Sequence, residues 1–229
     1  MINQFSRTEL LLGSKAIEIL KNAHVAIFGI GGVGGYVVEA LARSGVGHFT
    51  IIDNDTVDIT NLNRQIISNH EVINENKTTV AKKRMISINP EGNFMDYNIF
   101  LNQDNLEEFI SDDTDYILDC CDTVTTKMAL IKYAKSKDIP IICAMGTGNR
   151  LDPTKLVVTD IYETNNDPLA KIMRKLCKDN KIKKLDVVTS YELPVKTHDR
   201  TVGSTPFVPS VAGIYMASFV VNKWLKEIN

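Results

Sequence analysis

The segment Gly29-Ile30-Gly31-Gly32-Val33-Gly34 narrows the possible folds more than any other part of this chain. It lies between a short apolar run, residues 25–28, and a pattern that predicts a helix over residues 35–44. A strand that enters Gly-x-Gly-x-x-Gly and leaves as a helix is the opening of a nucleotide-binding βαβ unit. The glycines permit a tight turn, close approach of backbone to phosphate, and close helix–strand packing. Unpaired N–H groups at the helix start face the anion, and the helix dipole adds about 0.3–1 kcal/mol per nearby charge. A second predicted strand, residues 48–52, ends at Asp53, where a carboxylate can accept hydrogen bonds from a pair of ribose hydroxyls. A dinucleotide and ATP both satisfy these features.

Apolar runs and helical patterns go on alternating, which predicts an α/β, Rossmann-like, mainly parallel sheet with helices on both faces. Helices are expected over residues 7–22, 77–88, 103–110, 124–136 and 211–226. Strands are expected over 94–100, 116–118, 140–144, 156–159 and 187–191. Residues 1–149 read as the nucleotide-binding core and 150–229 as a substrate-facing extension closed by the C-terminal helix. With 229 residues the chain can bury a sizeable core. Its formal charge of −2 gives no overall attraction to nucleic acid. None of the four cysteines, Cys120, Cys121, Cys143 and Cys177, forms a Cys-x-x-Cys pair, so structural zinc is not expected and reduced thiols are. Met1–Gln4 lacks a signal-peptide pattern, and no apolar run reaches the roughly 20 residues of a membrane helix; the expectation is a cytoplasmic protein.

The stretch from Asp53 to Gln65 separates the two nucleotides. A triphosphate needs cations; Arg64 can place two hydrogen bonds on phosphate oxygens, and Lys77, opening the next helix, supplies a point charge. One such contact at about 4 Å is worth on the order of 4 kcal/mol before desolvation, at an effective dielectric of about 20. Each residue taken alone also reads as a solvated surface charge. Downstream, Asp119-Cys120-Cys121-Asp122 ends a predicted strand, the side on which open α/β sheets bind ligands. One of these carboxylates suits Mg²⁺, which takes carboxylate, phosphate and water ligands. Asp122 also suits the N-cap of the following helix.

In that order, Arg7, the glycine loop, Asp53, Asp55, Asn61-Leu62-Asn63-Arg64-Gln65, Lys77 and Asp119-Cys120-Cys121-Asp122 resemble the ubiquitin-activating-type (ThiF/MoeB-like) adenylyltransferases over the first 150 residues. The resemblance implies binding of ATP with Mg²⁺ and activation of a carboxylate as an acyl-adenylate. It places Gly29, Gly31, Gly34, Asp53 and Asp55 on the nucleotide, with Asn61, Arg64, Gln65 and Lys77 around the phosphates. Asp122 becomes the metal ligand, and Arg7 reaches the phosphates from a second subunit, which implies a homodimer. The stretches 151–155, 167–171 and 203–213 resemble the branch of this superfamily that dehydrates threonylcarbamoyladenosine in tRNA. That implies a tRNA substrate, ring closure after adenylation, and a possible cysteine-desulfurase-system partner. Members that activate ubiquitin-like carriers often have two Cys-x-x-Cys pairs and a crossover-loop cysteine. Here Cys177 is the only cysteine after Gly146, so a thioester or persulfide relay is disfavoured; activation of a small sulfur carrier's C-terminal glycine is the alternative.

Residues 167–184 hold seven Lys and Arg against Asp167 and Asp179. Lys171, Arg174, Lys175 and Lys178 recur at three- and four-residue steps, so they share one helix face, with Ile172, Leu176 and Met173 expected beneath. A positive stripe on an acidic protein suits phosphate contacts that position RNA, and it equally suits a solvated face. Under the family resemblance it becomes the expected tRNA site.

Overall fold

In the computed structural model, which describes residues 2–197 and 201–226, the alternating pattern folds into one twisted sheet. Its strands are β1 (His24–Phe28), β2 (His48–Ile52), β3 (Asn93–Tyr97), β4 (Tyr116–Asp119), β5 (Ile141–Ala144), β6 (Leu156–Asp160) and β7 (Asp186–Ser190), in spatial order β3-β2-β1-β4-β5-β7-β6. Neighbours pair in parallel except β6, which runs antiparallel to β7 at the edge. Every residue of β1, β4 and β5 is buried, as expected of parallel strands covered on both faces. The expected fold class is therefore found, and β7 joins its sheet directly beside β5.

Seven α-helices are described: α1 (Ser6–Leu12), α2 (Ser14–Asn22), α3 (Gly34–Ser44), α4 (Lys77–Ile88), α5 (Val124–Ser136), α6 (Pro168–Asp179) and α7 (Phe207–Lys226). Two apolar clusters sit on opposite faces of the sheet. One joins Leu20, Val37, Leu41, Val80, Val220 and Trp224 from α2, α3, α4 and α7. The other joins Leu130, Ala134, Met173 and Cys177 from α5 and α6. None of the described helices is long and apolar enough to cross a membrane.

Four expectations about elements need correction. The helix expected over 7–22 is broken at Gly13, whose φ of +85° suits glycine and ends the first segment. Strand β3 stops at Tyr97, level with the end of its partner at Ile52, and the next residues turn toward the cavity described below. The helix expected over 103–110 is only a 3₁₀ turn at Leu106–Glu108. There the Asn102 side chain accepts from the N–H groups of Asp104 and Asn105, and Asn105 accepts from Asn102 N–H and donates to Phe100 O. Such local bonds compete with a helix. Finally, α7 starts at Phe207, four residues early, because Pro209 falls in the first turn, where a missing N–H costs nothing.

Candidate active site

The C-terminal strand ends open onto a cavity of about 650 Å³, within the range of small-molecule sites. Its first wall is the glycine loop. Gly29 has φ +85°, and a Cβ there would lie 2.9 Å from the Cys120 backbone. A Cβ on Gly34 would lie 1.8 Å from Gly29 O; Gly34 is thus a packing residue behind the loop, whereas Gly29 and Gly31 line the cavity. The N–H groups of Gly31 and Gly32 make no hydrogen bond among the described residues, and α3 has no side-chain cap. This helix start is open to an anion.

Asp53 stands at the next strand end. Its Oδ2 accepts from Ile30 N–H at 2.6 Å and its Oδ1 from Asp55 N–H at 2.8 Å, which ties the glycine loop to the end of β2. Burial pushes its carboxyl above the ordinary range; the Lys77 charge and the two N–H bonds offset this only in part.

The cationic side comes from two elements. Asn61 and Gln65 are buried around a 3₁₀ turn at Ile59–Asn61, which Asp58 and Asn61 close as a reciprocal cap, Asp58 N–H donating to Asn61 Oδ1 at 3.1 Å. Arg64 lines the cavity and donates to Thr60 O (3.0 Å) and Asn63 Oδ1 (2.8 Å), leaving further guanidinium donors for a ligand. Lys77 is buried at the start of α4, and its Nζ lies 2.7 Å from Asp55 Oδ2. Asp55 lines the cavity and holds Lys77 there.

The Asp119-Cys120-Cys121-Asp122 stretch divides into two roles. Asp119 is fully buried and paired with Lys127 Nζ at 2.9 Å, so it offers no free carboxylate. Asp122 is exposed and lines the cavity; it does not cap α5, whose N-cap residue is Thr123. No cluster of three His, Cys, Asp or Glu able to hold a metal occurs among the described residues. A single rim carboxylate fits Mg²⁺ that arrives on phosphate, since that ion is usually held by one or two carboxylates plus phosphate and water. The cysteines are free: burial pushes the Cys121 and Cys143 thiols well above their usual range, so they are neutral, poor nucleophiles.

Two groups of residues were missed from the sequence. Buried Lys127 gave no signal because a lysine on a helix normally reads as solvated. The second group wires Gly146, which lines the cavity after β5. Asp167 Oδ2 accepts from Gly146 N–H (2.9 Å) and Thr189 Oγ1 (3.0 Å), while buried Arg150 donates to Gly146 O (3.1 Å) and Asn166 O (3.0 Å). Asp167 also caps α6 through Ala170 N–H at 3.0 Å; Asp167-Pro168 was the available signal.

Two predicted sites lie outside the cavity wall. Arg7 is exposed on α1 and does not reach the cavity of its own chain. On α6, Lys171, Lys175 and Lys178 are exposed, but Arg174 is half-buried and donates to the Thr164 carbonyl (2.7 Å) and hydroxyl. The residues beneath are Ala170, Met173 and Cys177, with Leu176 partly buried against the same cluster; Ile172, expected inside, is half exposed.

The family model described as the ThiF family matches residues 5–227. The chain is 40% identical over 246 residues to the tRNA threonylcarbamoyladenosine dehydratase of Bacillus subtilis, covering 100% of this chain and 97% of that one. Solved structures of E. coli tRNA N6-threonylcarbamoyladenosine dehydratase, TcdA, in complex with ATP and with AMP each match with a TM-score of 0.93 at 35% identity, over 98% of this chain and 95% of that chain. With the family model spanning nearly its whole length, this chain belongs to the ThiF family.

Proposed function

We propose that this chain is an ATP-dependent dehydratase that closes threonylcarbamoyladenosine in tRNA to its cyclic form. One observation carries the reading. The glycine loop, Asp53, Arg64 and Lys77 face one cavity, in a chain that matches the Bacillus subtilis dehydratase from end to end. In this reading ATP lies along the glycine loop with its ribose on Asp53, and its phosphates run toward Asn61, Arg64, Gln65 and Lys77.

The threonyl carboxylate attacks the α-phosphorus; a C–O–P linkage forms, the bond to the β-phosphate breaks, and pyrophosphate leaves. Arg64 and Lys77 hold the charge that shifts onto the departing phosphates, an electrostatic role that needs no side-chain nucleophile. Mg²⁺ carried by the phosphates would be met by Asp122 and would supply further charge neutralisation. The carbamoyl group then attacks the activated carbonyl within the same nucleoside, AMP leaves, and a proton is lost. Proximity favours this step because attacker and carbonyl share one small residue.

Three further assignments belong to the same proposal. Lys171, Lys175 and Lys178 on α6 contact tRNA phosphates, with Arg174 fixing the helix to Thr164 rather than touching RNA. A second copy of the chain delivers Arg7 to the phosphates. The family resemblance adds a cysteine-desulfurase-system partner and a cytoplasmic site of action.

The test is incubation of purified protein with ATP, Mg²⁺ and tRNA carrying the open nucleoside. The expected products are AMP, pyrophosphate and a nucleoside lighter by one water, read by mass spectrometry. ADP as the only nucleotide product, or pyrophosphate exchange that responds to a small carrier protein and not to tRNA, would overturn the reading.

A further inference from the structure

We propose that the buried Lys127–Asp119 pair is a positioning device for this reaction: it clamps the Cys121 peptide on both sides and thereby aims Asp122 at the phosphate side of the cavity. The inference rests on the adenylation reading of that cavity.

Both side chains are fully buried and lie 2.9 Å apart. Each also grips Cys121: Asp119 Oδ1 accepts from Cys121 N–H at 3.1 Å, and Lys127 Nζ donates to Cys121 O at 2.9 Å. Both polar groups of one residue are thus held by opposite charges. Asp122 is the next residue, and it lines the cavity.

Stability alone gives little reason for such a pair, because well-packed apolar residues of similar volume are often as good or better in its place. A turn from strand to helix is commonly fixed by a side-chain cap, yet Thr123 makes none at the start of α5. The clamp takes over that task from inside the core. Lys127 sits one turn into α5 and Asp119 ends β4, so the pair ties strand, turn and helix at one point. Burial pulls the Lys127 ammonium down, but the neighbouring Asp119 outweighs it and raises Lys127, while burial holds the nearby Cys143 thiol neutral. Among the described residues the Asp122 side chain has only a 3.4 Å contact with Thr123 Oγ1, so its aim depends on the backbone beneath it.

The pair variant Asp119→Leu with Lys127→Met keeps volume and removes the clamp. Its Tm is expected to match or exceed the wild type. ATP titration by calorimetry, with and without Mg²⁺, should show that the gain in affinity given by Mg²⁺ is lost to the level of Asp122→Ala. In turnover with tRNA, kcat should fall about 100-fold with the KM for tRNA unchanged, the loss expected of a misplacement of about 1 Å. Should that variant not fold, Asp119→Asn with Lys127→Gln keeps the hydrogen-bonding atoms without the charges and should lose part of the Mg²⁺ gain. A folded variant of either kind with the full wild-type Mg²⁺ gain overturns the clamp alone. Wild-type protein whose ATP affinity ignores Mg²⁺ overturns both the clamp and the role given to Asp122; wild-type protein that makes no AMP from ATP and tRNA overturns the function on which the inference rests.

Discussion

Asp53 is committed before any nucleotide arrives, since two backbone N–H groups already use one lone pair on each of its oxygens. Each oxygen keeps further acceptor capacity for a ribose hydroxyl. Its carboxyl is raised by burial, so on acidification it protonates earlier than an ordinary carboxylate and loses acceptor strength. ATP affinity is therefore expected to fall with decreasing pH from above the usual carboxylate range. In Asp53→Asn that part of the pH dependence should vanish, with affinity lower throughout; calorimetric titration of both proteins at several pH values checks it, and parallel curves would refute it. At this scale the sequence reads well where chemistry and backbone coincide: a glycine loop, an acid at a strand end, an Arg-Gln pair. It reads poorly where two distant residues neutralise each other. Nothing in the chain order pairs Lys127 with Asp119, or Arg150 with Asp167, and burial turns them from surface charges into fixed supports of cavity loops.

Helix α6 shows how one element can divide its cations. Arg174 is spent on Thr164, while Lys171, Lys175 and Lys178 stay exposed on the opposite side from Met173 and Cys177. Replacing these three lysines with glutamate is expected to weaken tRNA binding at least about tenfold at low salt and to flatten its salt dependence, since phosphate contacts act through counterion release. ATP binding should be unaffected; filter binding across a salt series against ATP calorimetry separates the two, and an unchanged tRNA affinity removes α6 from the tRNA site. Element boundaries were legible where one signal dominated, as for α4, predicted and found over Lys77–Ile88. They failed where side chains outbid the backbone pattern, as Asn102 and Asn105 do, or where a glycine with positive φ broke a continuous periodicity at Gly13.

Across the whole molecule, the fold class followed from alternation alone, whereas the strand order did not. Periodicity cannot say that β7 enters between β5 and the antiparallel edge strand β6. The proposed assembly adds a feature of the same kind, because Arg7 is exposed and does not line its own cavity. If it serves a neighbouring subunit, Arg7→Ala and Lys77→Ala homodimers should each be nearly inactive. After subunit exchange the mixture should recover about a quarter of wild-type turnover, because half the dimers are mixed and one of their two sites is intact. Mixtures no more active than their parents would place Arg7 elsewhere.

Helix α7 lies against the glycine-loop helix so closely that a Cβ on Gly213 would come within 2.4 Å of Val33 O, and Pro209 meets Gly32. Among the described elements this one leaves the ribosome last, yet it buttresses a loop made near the start. A nascent chain can pair β1 to β5 and still have an unsupported phosphate loop. The phosphate loop is thus expected to reach its final shape only once α7 has packed against it.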